Sequence, residues 1–106
     1  MSRRLIVRDE ATADVLDIAA YIAAESPASA ERFLRAARSS FQDLAATPGI
    51  GAPVRRRRVG NCRKWAIHGF LNYIIYYRVY DDAVIIVAVF HGARNVYRAL
   101  RDRLQD

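Results

Sequence analysis

Leu71-Asn72-Tyr73-Ile74-Ile75-Tyr76-Tyr77-Arg78-Val79 is followed by Tyr80-Asp81-Asp82 and then by Ala83-Val84-Ile85-Ile86-Val87-Ala88-Val89-Phe90. β-Branched and aromatic residues fill both runs, and three polar, turn-forming positions part them. This pattern predicts two antiparallel strands joined as a hairpin. Arg63 to Ile67, set off by His68-Gly69, reads as a strand of the same kind, so the three form a meander. The unbroken run Tyr73–Tyr77 marks a central strand covered on both faces.

Upstream the period changes. Between Glu10 and about Ala24, the residues Val15, Ile18, Ala19 and Ile22 fall at i, i+3, i+4 and i+7, with Asp9 placed to cap the helix. Leu16, Ala20 and Ala23 widen its apolar surface beyond one stripe, which implies contact on more than one side. Ser26-Pro27 puts a capping residue before a proline at the first helical position. Phe33, Leu34, Ala37, Phe41 and Leu44 then carry a second helix, which stops near Thr47 because Pro48 disfavours helical geometry before it. The short turn between the two makes an antiparallel helical hairpin.

Arg3 to Arg8 is a first strand, which must join the same sheet to satisfy its backbone, beside the third or fourth strand. Pro48 to Pro53 is a loop by composition. After Gly92, Ala93 to about Leu104 returns to helix, with Val96, Leu100 and Leu104 four apart. The order is β-α-α-β-β-β-α, an α+β fold with an antiparallel sheet, an N-terminal helical hairpin and a C-terminal helix.

With 106 residues the chain is one domain, 1–106. No apolar run approaches the ~20 residues that cross a bilayer. Met1-Ser2-Arg3-Arg4 leads into only three apolar residues, so no signal peptide is expected. Cys62 is the one cysteine, which excludes an intrachain disulfide and a cysteine-based zinc site and fits a reducing, cytoplasmic setting. No cofactor or metal is expected.

The charge is uneven. Residues 1–54 hold six Arg against seven Asp or Glu, whereas residues 55–106 hold eleven Arg or Lys against four Asp. All the basic residues are arginine except Lys64. Arginine suits bidentate contact with phosphate or carboxylate, so an anionic partner is the first expectation.

Arg55-Arg56-Arg57-Arg58, with Arg63 and Lys64 close behind, is the clearest feature, and phosphates or an acidic peptide would both relieve its self-repulsion. A solvated loop is the plainer alternative. Arg78 shares strand parity with Asn72, Ile74 and Tyr76, so it faces either a cleft or a partner such as Asp81 or Asp82. In His91-Gly92-Ala93-Arg94-Asn95, Arg94 is placed to converge with Arg78 on one cleft, or else to cap the junction with Asn95. His91 is a candidate general base, although a lone histidine at a strand end is more often structural. His68 has no evident partner. Tyr97 is expected to pack and Cys62 to be a buried apolar residue. No triad, P-loop or metal spacing is present, and no Glu follows Glu31, so a carboxylate acid–base pair is not supported.

In four segments, taken in order, the chain resembles the ParE branch of the RelE/ParE toxin superfamily of bacterial type II toxin–antitoxin systems. They are the first strand running through Asp9-Glu10-Ala11, then Thr47-Pro48-Gly49-Ile50-Gly51, then Tyr73 to Val79, and finally Val87 to Asn95. The resemblance implies a small growth-inhibiting toxin of a plasmid- or chromosome-stabilising module, neutralised in a hetero-oligomer by a cognate antitoxin. The antitoxin's acidic tail would meet Arg55–Arg58 and the basic sheet. Its amphipathic helix would meet the hairpin, where Val15, Ile18, Ile22, Phe33, Leu34 and Phe41 are the contact candidates. ParE-type members inhibit DNA gyrase, and RelE-type members cut mRNA on the ribosome. By resemblance the nuclease set here would be Lys64, Arg78, Arg94, His91 and Tyr97. The chain departs from the nuclease pattern in having one lysine, no Glu in its second half and no Tyr after Tyr97. Arginine is a poor proton shuttle, so the expectation is inhibition by contact through Arg55, Arg56, Arg57, Arg58, Arg63, Lys64, Arg78 and Arg94.

Overall fold

In the computed structural model, residues 3–105 are described. They form β1 (Arg4–Val7), α1 (Asp9–Ala23), α2 (Pro27–Ala46), a 3-10 turn (Pro48–Ile50), β2 (Ala52–Pro53), β3 (Arg63–Ile67), β4 (Phe70–Val79), β5 (Ala83–His91) and α3 (Tyr97–Leu104). The sheet order is β1-β5-β4-β3-β2, with β1 parallel to β5 and every other pair antiparallel. β4 is thus the middle strand, as its apolar run implies.

Strand alternation sends Ile75, Tyr77, Ile86 and Val89 toward the helical hairpin, where Phe33 and Leu44 meet them, fully buried. It sends Tyr76, Ile74 and Ile85 to the opposite face, beneath Val96, Leu100 and Leu104 of the last helical segment. A bulge in the β4–β5 ladder pairs Tyr76 with Ala88 and Tyr77 with Ile86. The extra residue turns Val87 and Ala88 to the same face, and both are buried there.

Ser26 caps α2 by accepting from the Ser29 amide at 3.1 Å, with Pro27 at the first position. Four details differ from the sequence reading. β1 runs parallel to β5, so the sheet is mixed rather than wholly antiparallel. Asp9 lies in the first turn of α1, where a carboxylate suits the helix dipole, and the capping position is Arg8 without a side-chain bond. β2 is an added strand of two residues, paired with Arg63 and Lys64. α3 starts at Tyr97 rather than Ala93, because the amides of Ala93 and Arg94 turn back to Nδ1 and O of His91. No helix among the described residues is long and apolar enough to cross a membrane.

Candidate functional site

Two openings border the sheet among the described residues. The larger, about 820 Å³, lies beside the start of α3 and is lined by Lys64, His68, Asn72, Ile74, Tyr76 and Tyr97 among others. Parity explains the grouping: Lys64 pairs with Tyr76 and Ala66 with Ile74, so all four face the side that α3 covers only partly. The second opening, about 580 Å³, lies at the edge of β5 beyond the end of β1, between α1 and the last turn. Asp17, Tyr21, Tyr73, His91 and Arg94 line it.

Arg78 and Arg94 do not converge. Arg78 pairs with Ile85, at the other end of the β4–β5 ladder from the Tyr73–His91 pair that adjoins Arg94. Five residues of extended chain separate Tyr73 from Arg78, about 17 Å. Nor does Arg78 face Asp81 or Asp82 in an ion pair. Its Nη2 donates to the Leu104 carbonyl at 3.5 Å, at the C-terminal end of α3, where a cation complements the helix dipole. Its buried Nε has no hydrogen-bond partner among the described residues.

Arg63 is also engaged in structure, donating through Nη1 to the Gly51 carbonyl at 2.5 Å. Lys64 is exposed at the larger opening. Arg55, Arg56, Arg57 and Arg58 are exposed on a loop pinned by Val54, Val59 and Cys62, which are buried beneath α3. Arg58 takes φ 63° and Asn61 φ 45°, left-handed values that bend the loop sharply. The Arg56 guanidinium stacks over the Tyr97 ring at 4.2 Å from its centroid.

His91 accepts the Ala93 amide at Nδ1, 3.1 Å away, and its ring meets Tyr73 edge-on at 5.2 Å. Burial pushes the Tyr76 phenol up to about 12, with Tyr97 adding to the shift, which makes it a weak proton donor near neutrality. Cys62 is buried as expected, and burial raises its thiol to about 11 against a smaller opposing effect of Arg78.

On the hairpin, Val15, Phe33 and Phe41 are buried against the sheet and are not available as surface contacts. Ile18 and Ile22 are half-buried against the same core. Leu34 is exposed, and so are Leu16 and Tyr21. The sequence reading saw Leu16 widen the apolar surface toward a second side but kept it off the contact candidates, and it overlooked Tyr21, because the stripe at i, i+3, i+4 and i+7 is the one the sheet takes. Exposed large apolar residues on the outer face of a helix were the signal available.

Asp14 and Arg103 escaped notice as well. The Arg103 guanidinium grips the Asp14 carboxylate with both nitrogens, at 2.5 and 2.9 Å. Asp14 also accepts the Val89 amide at 2.9 Å, on the edge of β5 that β1 leaves uncovered. Arg103 donates further to the Val87 carbonyl, and Arg8 donates to the Arg103 carbonyl at 2.6 Å. The hydrogen bond to Asp14 raises the Arg103 pKa. Nothing in the sequence relates two residues so far apart.

A family model described as the ParE toxin of the type II toxin–antitoxin system, parDE, matches residues 5–96. The chain belongs to this family. The chromosomal ParDE toxin–antitoxin system from P. aeruginosa contains a chain that superposes on the toxin with TM-score 0.70 at 18% identity, over 85% of this chain and 96% of that one. A chain of the toxin–antitoxin complex RelBE2 from Mycobacterium tuberculosis gives TM-score 0.62 at 21% identity, over 89% of this chain and 95% of that one. At such identities these are likenesses of fold. No curated protein sequence matches the chain. The toxin thus has the mixed architecture expected of its family, with the hairpin on one face of the sheet and α3 on the other.

Proposed function

We propose that this ParE-family toxin inhibits DNA gyrase by binding, in the cytoplasm, and carries out no reaction of its own. The supporting observation is the dispersal of the five groups an mRNA-cutting relative would need. Lys64 and Tyr97 border the larger opening, His91 and Arg94 the other, and Arg78 lies under the end of α3. Phosphoryl transfer requires a proton acceptor, a proton donor and a charge clamp around one phosphate. A supercoiling assay with purified gyrase tests the reading. Excess toxin is expected to halt supercoiling and accumulate cleaved DNA, and undiminished supercoiling overturns it.

Lys64, His68 and Tyr97 do share one opening, and that favours a second reading, ribosome-dependent cleavage of mRNA. A new cut in the ribosomal A site, mapped by primer extension on translating ribosomes and abolished in Lys64→Ala, would establish it in place of the first.

The partner that neutralises the toxin is proposed to be an antitoxin whose amphipathic helix lies along the exposed face of the hairpin. Leu16 and Leu34 supply exposed apolar side chains on the two helices of the hairpin, and both matched folds come from toxin–antitoxin systems.

A further inference from the structure

α3 and the arginine loop form one basic band. Tyr97 and Arg101 are one helical turn apart, on the flank of α3 away from Arg103, and the stacked Arg56 places the loop against that flank. Arg55, Arg57, Arg58 and Arg98 are exposed beside them, and Arg101 is half-exposed. Among the described residues none of these guanidiniums is held in an ion pair; the pair formed on α3 is that of Arg103 with Asp14. The one acidic residue described on α3 is Asp102.

The band carries no exposed large apolar side chain. Leu16, Tyr21 and Leu34 lie on the hairpin, Tyr80 lies in the β4–β5 turn, and Ile50, Trp65 and Leu71 line the larger opening on which Tyr97 borders; the valines and leucines of the loop and α3 are buried. A protein partner needs a dehydrated apolar centre to its interface, whereas a sugar–phosphate backbone needs only spaced cations. Across the sheet, α1 carries Asp9, Glu10, Asp14 and Asp17 and no basic residue. That asymmetry would turn the band toward a polyanion as the toxin approaches.

We infer that the band formed by Arg55–Arg58, Arg98 and Arg101 binds the phosphate backbone of duplex DNA directly and without sequence preference. Such contact would let the toxin grip the DNA that its target enzyme holds. The binding is nonetheless a property of this chain alone and does not rest on the identity of that target.

Fluorescence anisotropy of a labelled 20-bp duplex, titrated with the toxin over a salt series, tests the inference. Neutralising about four phosphates gives a log–log salt slope near −3.6. Arg55→Gln, Arg57→Gln, Arg98→Gln and Arg101→Gln together are expected to flatten that slope toward zero and weaken binding at least tenfold at ~50 mM salt. Arg56 and Arg58 are kept, to spare the stack on Tyr97 and the left-handed turn, and circular dichroism melting is expected to match the unmodified toxin. Should the variant melt early, charge reversal at exposed Arg57 and Arg98 alone, Arg57→Glu with Arg98→Glu, makes the same test with fewer changes. The inference is overturned if the duplex fails to bind at low salt, or if the folded variant binds it equally well. It is also overturned if poly-glutamate of equal charge binds more tightly than DNA, which would assign the band to an acidic protein segment. A supercoiling assay on the same variant reads the gyrase proposal separately.

Discussion

Tyr77 is wholly buried, and its hydroxyl carries two bonds. It donates to the Pro48 carbonyl at 2.7 Å and accepts the Gly51 amide at 3.0 Å, tying the loop after α2 to the middle of the sheet. Gly51 has no room for a Cβ, which would collide with that hydroxyl and with the Lys64 carbonyl. Tyr77→Phe leaves a buried donor and acceptor unpaired and is expected to cost about 1–3 kcal/mol in urea unfolding. Asp14→Ala strands both Arg103 and the Val89 amide, and is expected to cost about 2–4 kcal/mol. Removing both charges in Asp14→Ala/Arg103→Ala should cost less than the sum of the single changes, which a double-mutant cycle measures. Cys62 gives a pH signature. Its thiol ionises near 9.0 when exposed and near 11 in the fold, so the unfolded chain sheds a proton first as pH rises. Stability is therefore full below pH 9 and falls between 9 and 11, a drop that Cys62→Ala should reduce. At pH 8 a thiol reagent should modify the native toxin far more slowly than the urea-unfolded chain.

α3 shows how a short helix is kept in place. Eight residues are too few to be helical in isolation. Leu100 and Leu104 bury against Tyr76 and Val87, and Arg78 and Arg8 meet the carbonyls of Leu104 and Arg103. Arg78, an apparent phosphate ligand in the sequence, is thereby used as a helix anchor. Leu100→Ala is expected to cost about 2–4 kcal/mol. Because Tyr97 carries the stacked Arg56, the same change should raise amide exchange through residues 54–62 before it does so in α1 or α2. Equal protection across all these segments would show that the loop does not depend on α3.

For the molecule as a whole, the two faces of the sheet divide the work. The hairpin face offers apolar residues on an acidic first helix, and the α3 face offers exposed arginines. Leu16→Glu with Leu34→Glu should leave the melting temperature nearly unchanged, since both are exposed. It should weaken antitoxin binding tenfold or more, about 1.4 kcal/mol, in calorimetry. Phe33→Ala, by contrast, opens the core and should lower the melting temperature before it alters any interface. If the glutamate variant binds antitoxin as tightly as before, the docking face lies elsewhere.

Local patterns determined the elements. The 3.6-residue period, the Ser26-Pro27 signal and the alternation of apolar residues with turns fix helix and strand within a few bonds of their own positions, and all three helices and the meander follow from them. Two residues of β2 and the late start of α3 left no such trace, because each depends on a backbone partner distant or folded back. The site is the reverse case. A run such as Arg55–Arg58 announces its charge in the sequence, but the placing of Arg78 under α3, of Arg94 beside α1 and of Asp14 against Arg103 depends on which strands pair and where β5 bulges. A guanidinium looks the same in sequence whether it will meet phosphate, a helix end or a carboxylate. Only the tertiary structure, by choosing its neighbours, decides which.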